Sequence, residues 1–139
     1  MALQAFGDRD MEGLLSEMAV WADGNRFQQR EAAAALCEPR LLKQESHAAR
    51  VLQVLDIITE TIKEADDRRD EGFKVLRRAL GYCWSVAAVA LPEKGKTFME
   101  KWFTSADTDV KRIMKDILTK NRLIKMDAAW VERWRLELG

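Results

Sequence analysis

Glycine and proline are scarce in this chain, seven and two among 139 residues. That scarcity argues against turn-rich all-β architectures, the collagen repeat and glycine-rich low-complexity chains. Cysteine is scarcer still. Cys37 and Cys83 share no short spacing with each other or with the single His47, so no zinc or redox motif can be written. Both lie in helical patterns beside apolar residues and are expected to be small buried hydrophobes with free thiols. A lone histidine leaves a Ser-His-Asp or Cys-His catalyst without identifiable partners, and beside Ser46 at a helix start it is expected to be solvated. Glycine-rich phosphate loops are missing too, since "GDRDMEG", "EKGKTF" and "LGYCW" fit no nucleotide-binding pattern. Acid pairs such as Asp8 with Asp10, or Asp66 with Asp67, fall at turns and helix ends, where carboxylates cap and solvate. No apolar run approaches the ~20 residues of a membrane span. The start "MALQAFGDRDMEG" reads as neither signal peptide nor anchor. The expectation is therefore a non-enzyme with no cofactor, no metal and no membrane contact, at home in a reducing cytoplasm.

A surplus of charge is also lacking, with 23 basic and 23 acidic residues. The chain as a whole makes no electrostatic argument for nucleic acid. The halves differ: residues 1 to 70 hold 9 basic and 14 acidic side chains, and residues 71 to 139 hold 14 and 9. Such asymmetry can orient a partner or a second copy of the chain.

What is abundant is Ala, Leu, Glu, Lys, Arg and Met, residues that lose little freedom in a helix. An all-α fold follows, and the length suits one domain over 1–139. Met11, Leu14, Leu15, Met18, Ala19 and Ala22 form one helical stripe. It stops at "DGN", where Gly24 can take the left-handed conformation and Asn25 with Gln28 makes a capping box for the next helix. That second helix, about 26 to 38, carries four consecutive alanines suited to close packing and ends before Pro39. A third, with Ser46 as its cap, places Ala48, Val51, Leu52, Leu55, Ile58, Ile62 and Ala65 on one face. The helix beginning "EGFKVLRRAL" becomes apolar on all sides from Ala79 to Leu91 and should lie centrally, until Pro92 ends it. A short helix then shows Phe98, Met99, Trp102 and Phe103.

In "TSADTDVKRIMKDILTKNRLIK" the residues Val110, Ile113, Met114, Ile117 and Leu118 follow the helical template, with Asp107 as cap. Lys120, Arg122 and Lys125 are expected near its negative C-terminal pole. A last helix over about 127–138, capped by Asp127, shows Trp130, Val131, Trp134 and Leu138 on one side. Seven helices are expected in all, joined by short turns in layers.

Three helices repeat one signature, a cation six positions ahead of a leucine: Arg30 and Leu36, Lys74 and Leu80, Arg112 and Leu118. The leucines are separated by 44 and 38 residues, near the ~40–47 residue period of HEAT and armadillo repeats. The segment "DTDVKRIMKDIL" resembles a HEAT-repeat helix through Asp107, Asp109, Val110, Lys111 and Leu118, with Met114 where a small residue is usual. "NRFQQREAAAAL" is similar through Arg30, Ala32, Ala35 and Leu36, with Gln28 in place of a valine. The central "RRALGYCWSVAAVALPEKGKTFMEKW" also resembles small prokaryotic HEAT-like proteins. This likeness spans about 24 to 125. It implies a right-handed α-α superhelix of stacked antiparallel helix pairs, closed by the 127–138 helix as a cap, and implies no chemistry. The alternative for Trp130 and Trp134 is an exposed aromatic partner site. Some HEAT-like proteins are DNA glycosylases, but the aromatic and acidic set they need is not placed here, so that activity is not carried over.

The expected function is a scaffold whose concave or basic surface binds another protein. Nucleic-acid binding is the alternative, with phosphates held by Lys74, Arg77 and Arg78 on one helix and Lys111, Arg112, Lys115 and Arg122 further on. Head-to-tail self-association of the oppositely charged halves is third, and the chain is expected to be a monomer or weak homo-oligomer.

Overall fold

The computed structural model describes residues 2–139, and over these the chain is helical with no strand. Nine α-helices follow one another: α1 Ala2–Arg9, α2 Met11–Ala22, α3 Arg26–Leu36, α4 Glu45–Lys63, α5 Glu71–Ala90, α6 Pro92–Phe103, α7 Thr108–Ile117, α8 Asn121–Met126 and α9 Ala128–Leu138. A single 3-10 turn, Pro39–Leu41, links α3 to α4.

The polar residues between the helices explain where they start. Asp10, Asn25, Asp70, Asp107 and Asp127 each accept a hydrogen bond from a backbone N–H in the first turn of the following helix. Each such cap stabilises by ~1 kcal/mol. Asn25 and Gln28 form the reciprocal capping box expected of them.

Successive helices pair α2 with α3, α4 with α5 and α6 with α7. The first members touch in the order α2, α4, α6 and the second members in the order α3, α5, α7, which gives two layers. Helix α1 lies against α2 and α3 at one end, while α8 and α9 close the other. One continuous apolar core runs from Met11 to Val131. Helix α5 is its axis, with Leu80, Gly81, Cys83, Trp84, Ser85, Val86, Ala87 and Ala88 all buried, as the all-round apolar pattern requires. The alanine run of α3 buries Ala32, Ala33 and Ala35, so α3 approaches α5 closely. Gly95 serves the same purpose in α6: a Cβ there would stand 2.6 Å from the Ala88 Cα.

Four expectations need correction. Over the described residues the helices number nine because "ALQAFGDR" forms α1 of its own, and because the helix opening at Thr108 stops at Ile117. In the latter the stripe at 110, 113, 114, 117 and 118 would next require an apolar residue at 121. Asn121 stands there, and the chain turns so that Leu123 can bury itself. Gly24 is not left-handed; the only positive φ among the described residues is at Gly139. Instead Asp23 and Gly24 donate back to the Val20 and Trp21 carbonyls in a tight final turn. Ser46 is no cap, since α4 begins at Glu45 and the amides of His47 and Ala48 bond to the Gln44 carbonyl. His47 itself is tucked in, with a side chain only 12% exposed and Nε2 3.2 Å from Glu12 Oε1.

Candidate binding face on α5 and α7

The second layer presents its outer side to solvent, and the cations of the sequence repeat lie along it. Arg30 on α3 and Arg112 on α7 are exposed, with half-buried Lys74 on the α5 between them. Between α5 and α7 runs a groove of about 600 Å³ lined by Arg77, Arg78, Arg112, Ile113 and Asp116. A neighbouring hollow of about 280 Å³ along α7 is lined by Ala106, Thr108, Lys111, Arg112 and Lys115. Arg112 belongs to both.

The cations differ in how free they are. Arg78, Lys111, Arg112 and Lys115 are exposed, and among the described residues their one ion pair joins Arg78 to Glu71 at 3.7 Å. Two exposed side chains at that distance hold each other weakly. Arg77 is different: its guanidinium donates to Asp109 Oδ1 at 2.9 Å and its side chain is 15% exposed. It borders the groove while its charge is already answered.

Asp109 is the centre of a network that was not visible in the sequence. Arg68, in the α4–α5 loop, donates to Asp109 Oδ2 at 2.8 Å and to Asp107 Oδ2 at 3.0 Å, and it also bonds the carbonyls of Ala65 and Lys63. Burial alone would raise the Asp109 carboxyl, but hydrogen bonds from Arg68 and Arg77 hold it below the usual aspartate value. The same bonds raise Arg68 further. This network of two arginines and two aspartates thus anchors the N-terminal end of α7, the helix on which Arg112 and Lys115 stand. No spacing rule pairs residue 68 with 107 and 109; only the fold does.

Arg122 lines neither of these two hollows. It belongs to the first turn of α8 rather than the last turn of α7, and its guanidinium lies 5.0 Å from the centroid of the Tyr82 ring. Tyr82, 47% exposed on α5, is a surface aromatic outside the expected contact set. Its signal was present, four residues beyond Arg78 on the same helical side.

The other candidates resolve into packing. Trp130 and Trp134 lean on Phe103, with ring centroids 5.5 and 4.7 Å away, so α9 is fastened to the end of α6 through aromatic contact. Cys37 and Cys83 are buried and free, and burial pushes the Cys37 thiol well above its usual value. Among the described residues no cluster of three metal-ligating side chains occurs, and no helix is long and apolar enough to cross a membrane. Compared with protein-family models, curated protein sequences and solved structures, the chain matches none.

Proposed function

We propose that this chain is a non-catalytic, HEAT-like scaffold that holds another protein against the outer face of its α3–α5–α7 layer. The observation that carries the reading is the groove between α5 and α7, where Arg78 and Arg112 come together over Ile113 with Lys111 and Lys115 alongside. The ordered stacking of three helix pairs is what a right-handed superhelical repeat would produce, and it supports the HEAT-like assignment. Such a layer is a surface on which other chains dock.

Charge favours protein over nucleic acid in this reading. A duplex carries one negative charge per ~1.7 Å and needs a long, uniformly basic track. This face is broken by Asp116 within the groove and by Glu71 beside Arg78, and the first half of the chain is net acidic. A protein segment that mixes carboxylates with apolar side chains matches a groove containing both Arg112 and Ile113. The setting is then the cytoplasm, with the chain as a monomer or weak homo-oligomer.

The test is affinity capture from native cells with wild type and with Arg78→Glu/Arg112→Glu. A partner protein retained by wild type and lost from the double variant is the expected result. Retention of the same proteins by both baits would remove the groove from the reading. A mobility shift with an oligonucleotide at low and moderate salt, abolished by the same double variant, would favour nucleic acid instead.

A further inference from the structure

A second groove lies further along α5. It measures about 310 Å³, and its lining includes Leu42, Lys43, Val86, Val89 and Arg122. Where the first groove is framed by guanidinium groups, this one has an aliphatic floor with two cations among its lining residues. The two share one side of α5, because Val89 follows Arg78 by about three full turns of an unbroken helix, with Tyr82 one turn beyond Arg78. From Arg78 to Ala90 the helix advances about 18 Å at ~1.5 Å per residue. At the join stand Tyr82 and the Arg122 guanidinium over it. Asp116 abuts Gly81 there, so close that a Cβ on Gly81 would stand 2.1 Å from its carboxylate oxygen.

We infer that this track on α5 receives a short segment of a partner protein that is acidic at one end and aliphatic at the other. Its carboxylates pair with Arg78 and Arg112, and its apolar side chains cover the half-buried Val89 and Ala90. The inference rests on the protein-binding reading above and gives that partner its chemistry. The order of groups along α5 argues against uniform ligands. A polyanion would leave the aliphatic groove wet, and a wholly apolar helix would strip water from cations without pairing them. Arg122, at the middle, offers one more donor where the two halves of the segment meet. An 18 Å track accommodates about 12 residues of helix or about five of extended chain.

Labelled synthetic peptides test this directly. One carries about four glutamates followed by about four leucines and valines; a second has the same residues scrambled; a third has glutamates alone. Fluorescence anisotropy should show the block peptide binding at least ~10-fold tighter than either control, the worth of one good contact region. Arg112→Glu should weaken it about 10-fold, with the effect shrinking at high salt. Val89→Asp should weaken it comparably at both salts, and Tyr82→Ala, a surface change, should reduce binding while leaving the circular dichroism spectrum unaltered. If glutamates alone bind as tightly and Val89→Asp changes nothing, the acidic–aliphatic inference falls while docking at the basic groove stands. Failure of all three peptides also overturns it, and the capture experiment with Arg78→Glu/Arg112→Glu then decides the protein-binding reading on its own. Displacement of the block peptide by an oligonucleotide at equal charge would overturn it in favour of nucleic acid.

Discussion

Thr59 joins two helices through one hydroxyl. Its Oγ1 donates to the Leu55 carbonyl at 2.8 Å and accepts the indole N–H of Trp84 at 3.0 Å, all of it out of contact with water. Trp84 is the largest side chain buried completely, and its N–H has no water to turn to. Thr59→Val keeps the shape and removes the acceptor, so it should lower unfolding free energy by ~1–3 kcal/mol, the penalty of one orphaned buried donor. Thr59→Ser should recover much of that. Urea denaturation of the three proteins measures it, and a valine variant as stable as wild type would show that the bridge contributes nothing. Gly95 offers a steric counterpart. Gly95→Ala would drive a methyl to within 2.8 Å of the Ala88 carbonyl oxygen, a backbone atom that cannot swing aside. The pair α5–α6 must then separate, at about 1–3 kcal/mol, and thermal melting should register a drop in Tm.

Helix α7 shows what an element owes to residues outside it. Its carboxylate cap, Asp107, and its second residue, Asp109, are both held by Arg68 from the α4–α5 loop, which ties one helix pair to the next. The sign of the pH effect follows from Asp109. Its folded-state pKa lies below the unfolded value of ~3.9, so the stabilisation is present above that pH and is lost as pH falls through the folded value. Wild type should lose stability as pH falls below the unfolded aspartate value of ~3.9. Asp109→Asn, with nothing to titrate at that position, should start less stable at pH 7 and show a shallower decline over the same window. Parallel curves for the two proteins would mean that the network does not couple folding to acid. The caps at Asn25, Asp107 and Asp127, the stripes and the burial of α5 were legible in the sequence because each depends on residues within one or two turns. The end of α7 was legible in principle, since Asn121 breaks the stripe. Arg68 with Asp109, Thr59 with Trp84, and the joining of Arg78 to Arg112 in one groove were not, because each depends on residues 25 to 41 positions apart whose meeting is decided by packing.

Across the whole molecule, stability should fall off from the middle outward. Helix α5 touches α3, α4, α6, α7 and α8, whereas α1 meets only its own end of the stack and α9 is held at the other end by α7, α8 and Phe103. In a stack of helix pairs each unit is stabilised by its neighbours, so an end unit has one interface to lose and a central one has two. Native-state hydrogen exchange followed by mass spectrometry should therefore find the amides of α5 opening only with global unfolding, while those of α1 and α9 exchange through smaller local openings. The proposed track on α5 would then lie on the most rigid of the described helices. A partner segment would meet a prearranged surface and bear little of the ordering cost that weakens association with mobile loops. Equal protection of α1, α5 and α9 would instead make the molecule one cooperative block, with no graded stack for a partner to read.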